Sequence, residues 1–526
     1  MKQLFNLFDL RQKVDYKIEV LSGITVALAL VPEAIAFAMI AGFSPLTGLY
    51  AAFVMGLVTA IFGGRPGMIS GATGAIAVIF VGLILELRNT FPDISPETIL
   101  QYVFATVILA GLMQILAGFL RLGKFIRLVP HPVMFGFVNG LAIIIFMAQF
   151  PSFYEKDGTL LNTTAFLTML GLVLLTMLII WGLPKLTKVV PSSLVAILVV
   201  AGIVIGFGIE TTTVVDTLNP GETIQGSFPP LTIPVIPFTF ESLMLILPYA
   251  AIVAGVGLIE SLLSLNLIDE ITETRGRSNR ECVAQGAANI ASGFLSGMGG
   301  CAMLGQSLIN ISNGARARLS GIVAAVVLLM FIMFGSSLIE MLPMAALVGL
   351  MFMVAIGTFE WASLKTFKKM PKSDVIVMVL VTLITAITHN LAIAVLIGVI
   401  LAALAYSWEN AKRIRARKFV DDEGVKHYEI FGPLFFGSTK AFSEKFDIIN
   451  DPQTVIIDFA ESRIADMSAI EAVNVITHRY AKQGKEVHLR HLSKDCINLL
   501  KNAEAIIDVN IMEDPTYKVV IDNSPL

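Results

Sequence analysis

Apolar windows of membrane length recur along the chain from about residue 17 to residue 408. They centre near Val26, Val54, Ile79, Val107, Leu141, Gly171, Ile197, Ala251, Ala288, Ile309, Ala325, Val348, Val377 and Ile397. A hydrocarbon layer of about 30 Å asks for about 20 apolar residues per helix, so this pattern predicts about fourteen spans. The windows near Ile79 and Ile309 are short, because each opens on Gly-rich irregular sequence and leaves only half a helix. After Trp408 the pattern changes. Residues 409–419 are rich in charge and read as a linker, and from about Val420 strand and helix patterns alternate. Residues 455–459 predict a buried strand, 468–480 a helix and 486–489 a further strand, which together indicate a small α/β domain over 420–526.

Composition narrows the class. Of 526 residues, 56% are hydrophobic and 15% charged, and the mean hydropathy is +0.79. These values exclude an ordinary soluble globular protein. A net charge of −3 gives no reason to expect a nucleic-acid partner. Cys282, Cys301 and Cys496 lack paired spacing, so neither a disulfide framework nor a metal cluster is expected. No nucleophile–base set suggests an enzyme. Residues 1–16 mix Asp9, Arg11, Lys13 and Asp15 with apolar positions, unlike a signal peptide; they suit a short cytoplasmic or interfacial segment.

Charge also orients the spans. With the N-terminus in the cytoplasm and fourteen crossings, the inner connections carry Arg65, then Arg121, Lys124 and Arg127, then Lys185 and Lys188. Arg275, Arg277 and Arg280 follow, then Arg316 and Arg318, then Lys365, Lys368, Lys369 and Lys372. The outer connections show only Arg88 and Lys156, and residues 209–241 hold no Lys or Arg at all. This is the positive-inside pattern, with both termini in the cytoplasm.

Two stretches look like copies. Residues 24–38 and 251–264 each place a lone glutamate, Glu33 or Glu260, after about nine uncharged residues. A carboxylate at that depth costs a few kcal/mol and must face a polar cavity or a partner. Two such costs, one per half, predict one binding site built twice. Residues 125–130 also resemble 338–343, with Gly136 and Gly349 following at equal distances. Seven plus seven spans would place the halves in inverted orientation, the plan of many secondary transporters. The short segments fit that plan. Residues 63–75 and 297–310 begin in extended Gly-rich backbone, which puts a helix N-terminus near mid-membrane, where its N–H groups attract an anion. Tight packing through small residues accounts for the glycines alone, but not for Gly-Pro opening one run and Gly-Gly its pair.

Residues 30–38 and 42–50, with their Pro32-Glu33 and Gly48-Leu49-Tyr50 landmarks, resemble the first two spans of the SulP-type anion permeases. Ser278-Asn279-Arg280-Glu281 with Gln285-Gly286-Ala287-Ala288-Asn289 resembles that family's ninth span. The resemblance covers nearly the whole chain. It implies the seven-plus-seven fold shared with uracil permeases, and an anion pocket between the third and tenth half-helices. That pocket would comprise Ser70, Gly71, Ala72, Thr73, Gly305, Gln306 and Ser307, with Glu33 and Phe37 beside it. Many animal members carry an arginine where Gln306 stands; without it, anion affinity is left to helix dipoles, hydroxyls and amides, with a co-transported cation as a second source of the missing positive charge. Glu260 with Ser264 resembles a sodium site of bicarbonate-importing relatives, and Glu33 matches a proton-coupling position; the choice between Na⁺ and H⁺ stays open. Apart from a bound Na⁺ no cofactor is expected.

In the tail, residues 466–472 resemble the loop-to-helix signature of STAS domains. In some proteins of that fold the serine matching Ser468 is phosphorylated, although an N-cap role is the simpler reading here. The expectation is a plasma-membrane secondary transporter of sulfate or bicarbonate, by cation symport or anion exchange. A dicarboxylate transporter is the nearest alternative and an anion channel a further one. Membrane lipid, a second copy in a homodimer and a cytoplasmic regulator at the STAS domain are the expected partners.

Overall fold

The computed structural model describes residues 15–123, 130–155, 159–186, 191–217, 226–237, 239–388 and 391–492. The proposed N-terminal segment before Asp15, the repeat landmark at 125–129, Lys124, Arg127, Lys156, Lys188 and Cys496 fall outside them.

Each predicted window is a helix. In the first half these are α1 (Tyr16–Ile40), α2 (Pro45–Phe62), α3 (Gly74–Thr90), α4 (Pro96–Phe119), α5 (His131–Met147), α6 (Thr163–Leu186) and α7 (Ser192–Phe207). The second half holds α8 (Phe240–Thr272), α9 (Ser278–Phe294), α10 (Leu304–Ser312), α11 (Leu319–Phe334), α12 (Met344–Thr358), α13 (Lys372–Thr388) and α14 (Leu391–Ala411). Local chemistry sets the ends. Asp15 caps α1 by accepting the Lys17 N–H at 3.0 Å, and Ser95 caps α4 ahead of Pro96. Among the described residues, seven helices are long and apolar enough to cross a membrane, and α7, α11 and α12 are shorter apolar helices. The apolar windows of α1 and α2 are 67% buried but that of α6 only 22%, so α1 and α2 are interior and α6 presents its surface outward.

Packing carries the signature of the repeat. If helix n corresponds to helix n+7, every contact should recur with partners exchanged. The main helix pairs at the centre do so: α1 packs on α11 as α8 packs on α4, α1 meets α10 as α8 meets α3, and α5 lies on α13 as α12 lies on α6. Among the described residues, the contact of α6 with α7 has no counterpart of that size between α13 and α14. Helix α2 packs on its own equivalent, α9. At the centre, β1 (Ser70–Gly71) and β2 (Cys301–Ala302) pair antiparallel, Ser70 with Ala302 and Gly71 with Cys301. This two-residue ladder is the point the halves share. The approach is close enough that a Cβ on Gly300 would stand 2.0 Å from the Gly71 carbonyl oxygen. Gly111 of α4 and Gly286 of α9 meet in the same way, a Cβ on either lying within 2.6 Å of the other's carbonyl oxygen.

The second compact unit is an α/β domain. Strands β3 (Arg415–Val420), β4 (Lys426–Leu434), β5 (Thr454–Ile464) and β6 (Glu486–Arg490) form one sheet in that order, antiparallel between β3 and β4 and parallel thereafter. Helices α15 (Thr439–Ser443) and α16 (Met467–Lys482) accompany it. Tyr428, Phe442, Phe459, Ile476 and Tyr480 fill its core. The Tyr428 and Tyr480 hydroxyls both donate to Asp451 Oδ2, at 2.6 and 2.5 Å. Burial, helped by that carboxylate, pushes the Tyr428 hydroxyl up to about 12, so it stays a donor.

Two expectations need correction here. The stretch 409–419 is not a linker: α14 runs on to Ala411, and residues 415–420 form β3, paired along its length with β4. Its charges are compatible with a strand because β3 is an edge whose side chains are mostly exposed. Ser468 is not the N-cap of α16. Asp466 is, accepting the Ala469 N–H at 2.9 Å, while Ser468 lies exposed in the first turn.

Candidate functional site

The residues singled out in the two halves converge on the β1–β2 crossing. Thr73 is the residue before α3 and Met303 the residue before α10; both have extended backbone, and neither side chain caps the helix it precedes. The first N–H groups of two half-helices are therefore left without a side-chain acceptor near one another. Gly305, in the first turn of α10, is exposed, and a Cβ there would meet nothing within 4 Å, so open space lies against that turn.

Glu33 and Phe37 sit one turn apart on α1, just past Pro32, which has no N–H to return to the preceding turn. Glu33 Oε2 accepts a hydrogen bond from the Gln306 amide, tying α1 to α10. Phe37 is buried with its ring edge against the start of α3, where a Cβ on Gly74 would come within 2.9 Å of it. Ala72 is fully buried.

The equivalent glutamate behaves differently. Glu260 Oε2 accepts from the Cys301 thiol at 2.7 Å, and the Thr73 hydroxyl lies 3.3 Å from the same sulfur. Thr73, Cys301 and Glu260 thus form a row from α3 through β2 to α8. Ser264 is buried one turn beyond Glu260. Ser307, expected in the pocket, has its hydroxyl engaged by the backbone of Ile69, whose N–H donates to Oγ at 2.9 Å.

Sequence reading passed over Cys301 as a ligand-poor lone thiol, and it named Gln285 and Asn289 without giving them a task. The structure places all three at the crossing. Gln285 donates to Ser70 Oγ at 2.8 Å, and Asn289 exchanges hydrogen bonds with both backbone groups of Gly300, at 2.9 and 3.1 Å. Their spacing of four, with Glu281 four earlier, in an Ala/Gly-rich helix was the available signal.

The sulfate permease family matches residues 17–382 and the STAS domain residues 417–516. The chain is 41% identical over 498 residues to the putative sulfate transporter YbaR of Bacillus subtilis, covering 94% of this chain and 99% of that protein. It is 32% identical over 477 residues to the bicarbonate transporter BicA of Picosynechococcus, covering 84% of this chain and 83% of that one. Among solved structures, the transmembrane domain of a cyanobacterial BicA aligns with TM-score 0.62 at 30% identity, over 74% of this chain and 98% of its own. SLC26A9 aligns with TM-score 0.79 at 18% identity over 95% and 89%, a likeness of fold alone.

Proposed function

The chain belongs to the sulfate permease family, and from that premise we propose that it is a secondary active transporter of a small inorganic oxyanion, sulfate or bicarbonate, coupled to a cation. One observation carries the reading most: two uncapped half-helix starts meet at the β1–β2 crossing, with open space at Gly305 and a half-buried glutamate from each half alongside. The helix starts offer N–H donors and partial positive charge to an anion. The glutamates suit a cation and oppose a freely conducting anion pore.

Gln306 supplies donors but no fixed charge, and in this state its amide is occupied by Glu33. Binding an anion there requires the amide to exchange one acceptor for another. A cation taken up by Glu33 or Glu260 would lower the competing negative charge and so favour that exchange. This is symport logic, and it leaves Na⁺ at Glu260 and Ser264, or H⁺ at Glu33, as the cation. The names of the relatives support sulfate and bicarbonate ahead of dicarboxylates. We place the transporter in the plasma membrane, as a homodimer with both termini cytoplasmic, with the STAS domain open to a regulator at the exposed Ser468.

The test is uptake into proteoliposomes of labelled sulfate, bicarbonate, chloride and succinate under imposed Na⁺ or H⁺ gradients. Concentrative uptake of one oxyanion driven by one gradient is expected. Gradient-independent chloride current with no concentrative uptake would make the protein a channel.

A further inference from the structure

Helix α9 carries a row of three polar side chains that the transport reading does not use. Glu281, Gln285 and Asn289 are four residues apart, share one face, and are each fully buried. Each holds a piece of the backbone or side-chain framework at the crossing. Glu281 Oε2 accepts the Gly64 N–H at 2.7 Å; Gln285 Nε2 donates to Glu281 Oε1 and to Ser70 Oγ, both at 2.8 Å; Asn289 clasps Gly300, and it donates to Gln114 Oε1 at 2.9 Å. So α9 grips β1 through Ser70 and the approach to β2 through Gly300.

The row has a direction. A carboxylate only accepts, so Gln285 turns its N–H groups toward Glu281, and the second of them falls to Ser70. The opposite amide orientation would set Oε1 against a carboxylate oxygen. Gln285 Oε1 is instead left without a partner, a buried acceptor whose cost of about 1–3 kcal/mol the fold accepts. Because Ser70 Oγ accepts from Gln285, its own O–H is the part of the hydroxyl left to donate. A pocket for an anion needs donors.

We infer that Gln285 is a positioning residue of the anion site: by donating to one lone pair of Ser70 Oγ, it orients that hydroxyl with its O–H directed away from α9 and toward the anion, and so sets affinity from a helix outside the pocket. The inference rests on the transport reading above, with Ser70 in the pocket as the family resemblance implies, and deepens it by assigning the polarity of that residue to α9.

The experiment uses the full chain in proteoliposomes, with initial uptake rates of sulfate and of bicarbonate measured against concentration for Gln285→Met, Ser70→Ala and the double variant. Gln285→Met keeps length but cannot donate. It should raise KM about fivefold, the worth of one hydrogen bond, while the maximal rate stays within about twofold. In the Ser70→Ala background the same change should add nothing, because the two act through one contact. Equal KM increases in both backgrounds, or a reduced maximal rate with wild-type KM, would show a purely structural role and overturn the proposal. If Gln285→Met does not fold, Gln285→Asn applies the same KM criterion, its amide lying one methylene short of Ser70. The wider reading fails separately: no concentrative uptake of any oxyanion by wild-type protein removes the transport function, whereas wild-type KM in a folded Ser70→Ala protein removes only Ser70 from the site.

Discussion

Glu33 and Glu260 occupy equivalent places in two halves that pack as exchanged copies, yet their surroundings differ. Glu33 follows a proline, has Phe37 one turn on, and receives an amide from the opposite half, Gln306 on α10. Glu260 has Ser261 and Ser264 nearby on its own helix and receives a thiol, Cys301, which in turn meets Thr73 of the first half. Duplication reproduces the backbone frame, because the frame is set by apolar patterning and small-residue contacts that both copies keep. It does not keep the two partners alike. An amide and a thiol differ in donor number and strength, so the two carboxylates are suited to different duties. The teaching is that fold symmetry and chemical symmetry part company at the crossing.

The largest expected effect comes from Gln306→Glu, which sets a second carboxylate against Glu33 and a negative charge at the start of α10. Two like charges about 4 Å apart at an effective dielectric of roughly 20 repel by about 4 kcal/mol, roughly a thousandfold in anion affinity. Uptake should disappear from a protein that still inserts and purifies normally. Wild-type uptake in that variant would take Gln306 out of the site.

Next come the glutamates themselves, which separate the two duties. Glu260→Gln should lose stimulation by Na⁺ while still binding the anion, as judged by anion-dependent thermal stabilisation. Glu33→Gln should keep the Na⁺ response and flatten the dependence of uptake on pH, because its neutral side chain has no proton to gain or lose. Identical Na⁺ and pH profiles in both variants and the wild type would mean that the two carboxylates only brace helices.

A smaller effect sharpens the contrast further. Cys301→Ala removes the donor to Glu260 and leaves the Glu33 side untouched. The apparent Na⁺ affinity should shift about five- to tenfold, the worth of one ordinary hydrogen bond, because a thiol is a weak donor. Cys301→Ser should restore it, since a hydroxyl donates in the same place. A changed pH profile with an unaltered Na⁺ response would exchange the assignments of the two glutamates.

Much of this molecule is legible in one dimension. Membrane-length apolar windows, Lys/Arg alternation and the paired Pro, Gly and Glu landmarks specify fourteen helices in two copies, because spans in hydrocarbon must satisfy their backbone within the helix and show this as continuous apolar sequence. The Gly-rich entries of α3 and α10 likewise announce where the backbone leaves the helix. The tail's strand and helix patterns are local too, so the expected strand at 455–459 and helix at 468–480 fall within β5 and α16, although β5 runs five residues further, to Ile464. The stretch 409–419 misleads for a physical reason: an edge strand is exposed on both faces, so charge does not distinguish it from a linker until its partner β4 is in place. What only the tertiary structure decided is who meets whom. Cys301 lies 41 residues from Glu260 and 228 from Thr73, and Gln306 lies 273 from Glu33. No helical period or spacing rule relates positions so far apart; the exchanged packing of the two halves brings them to one crossing, and the chemistry of the site follows from that meeting.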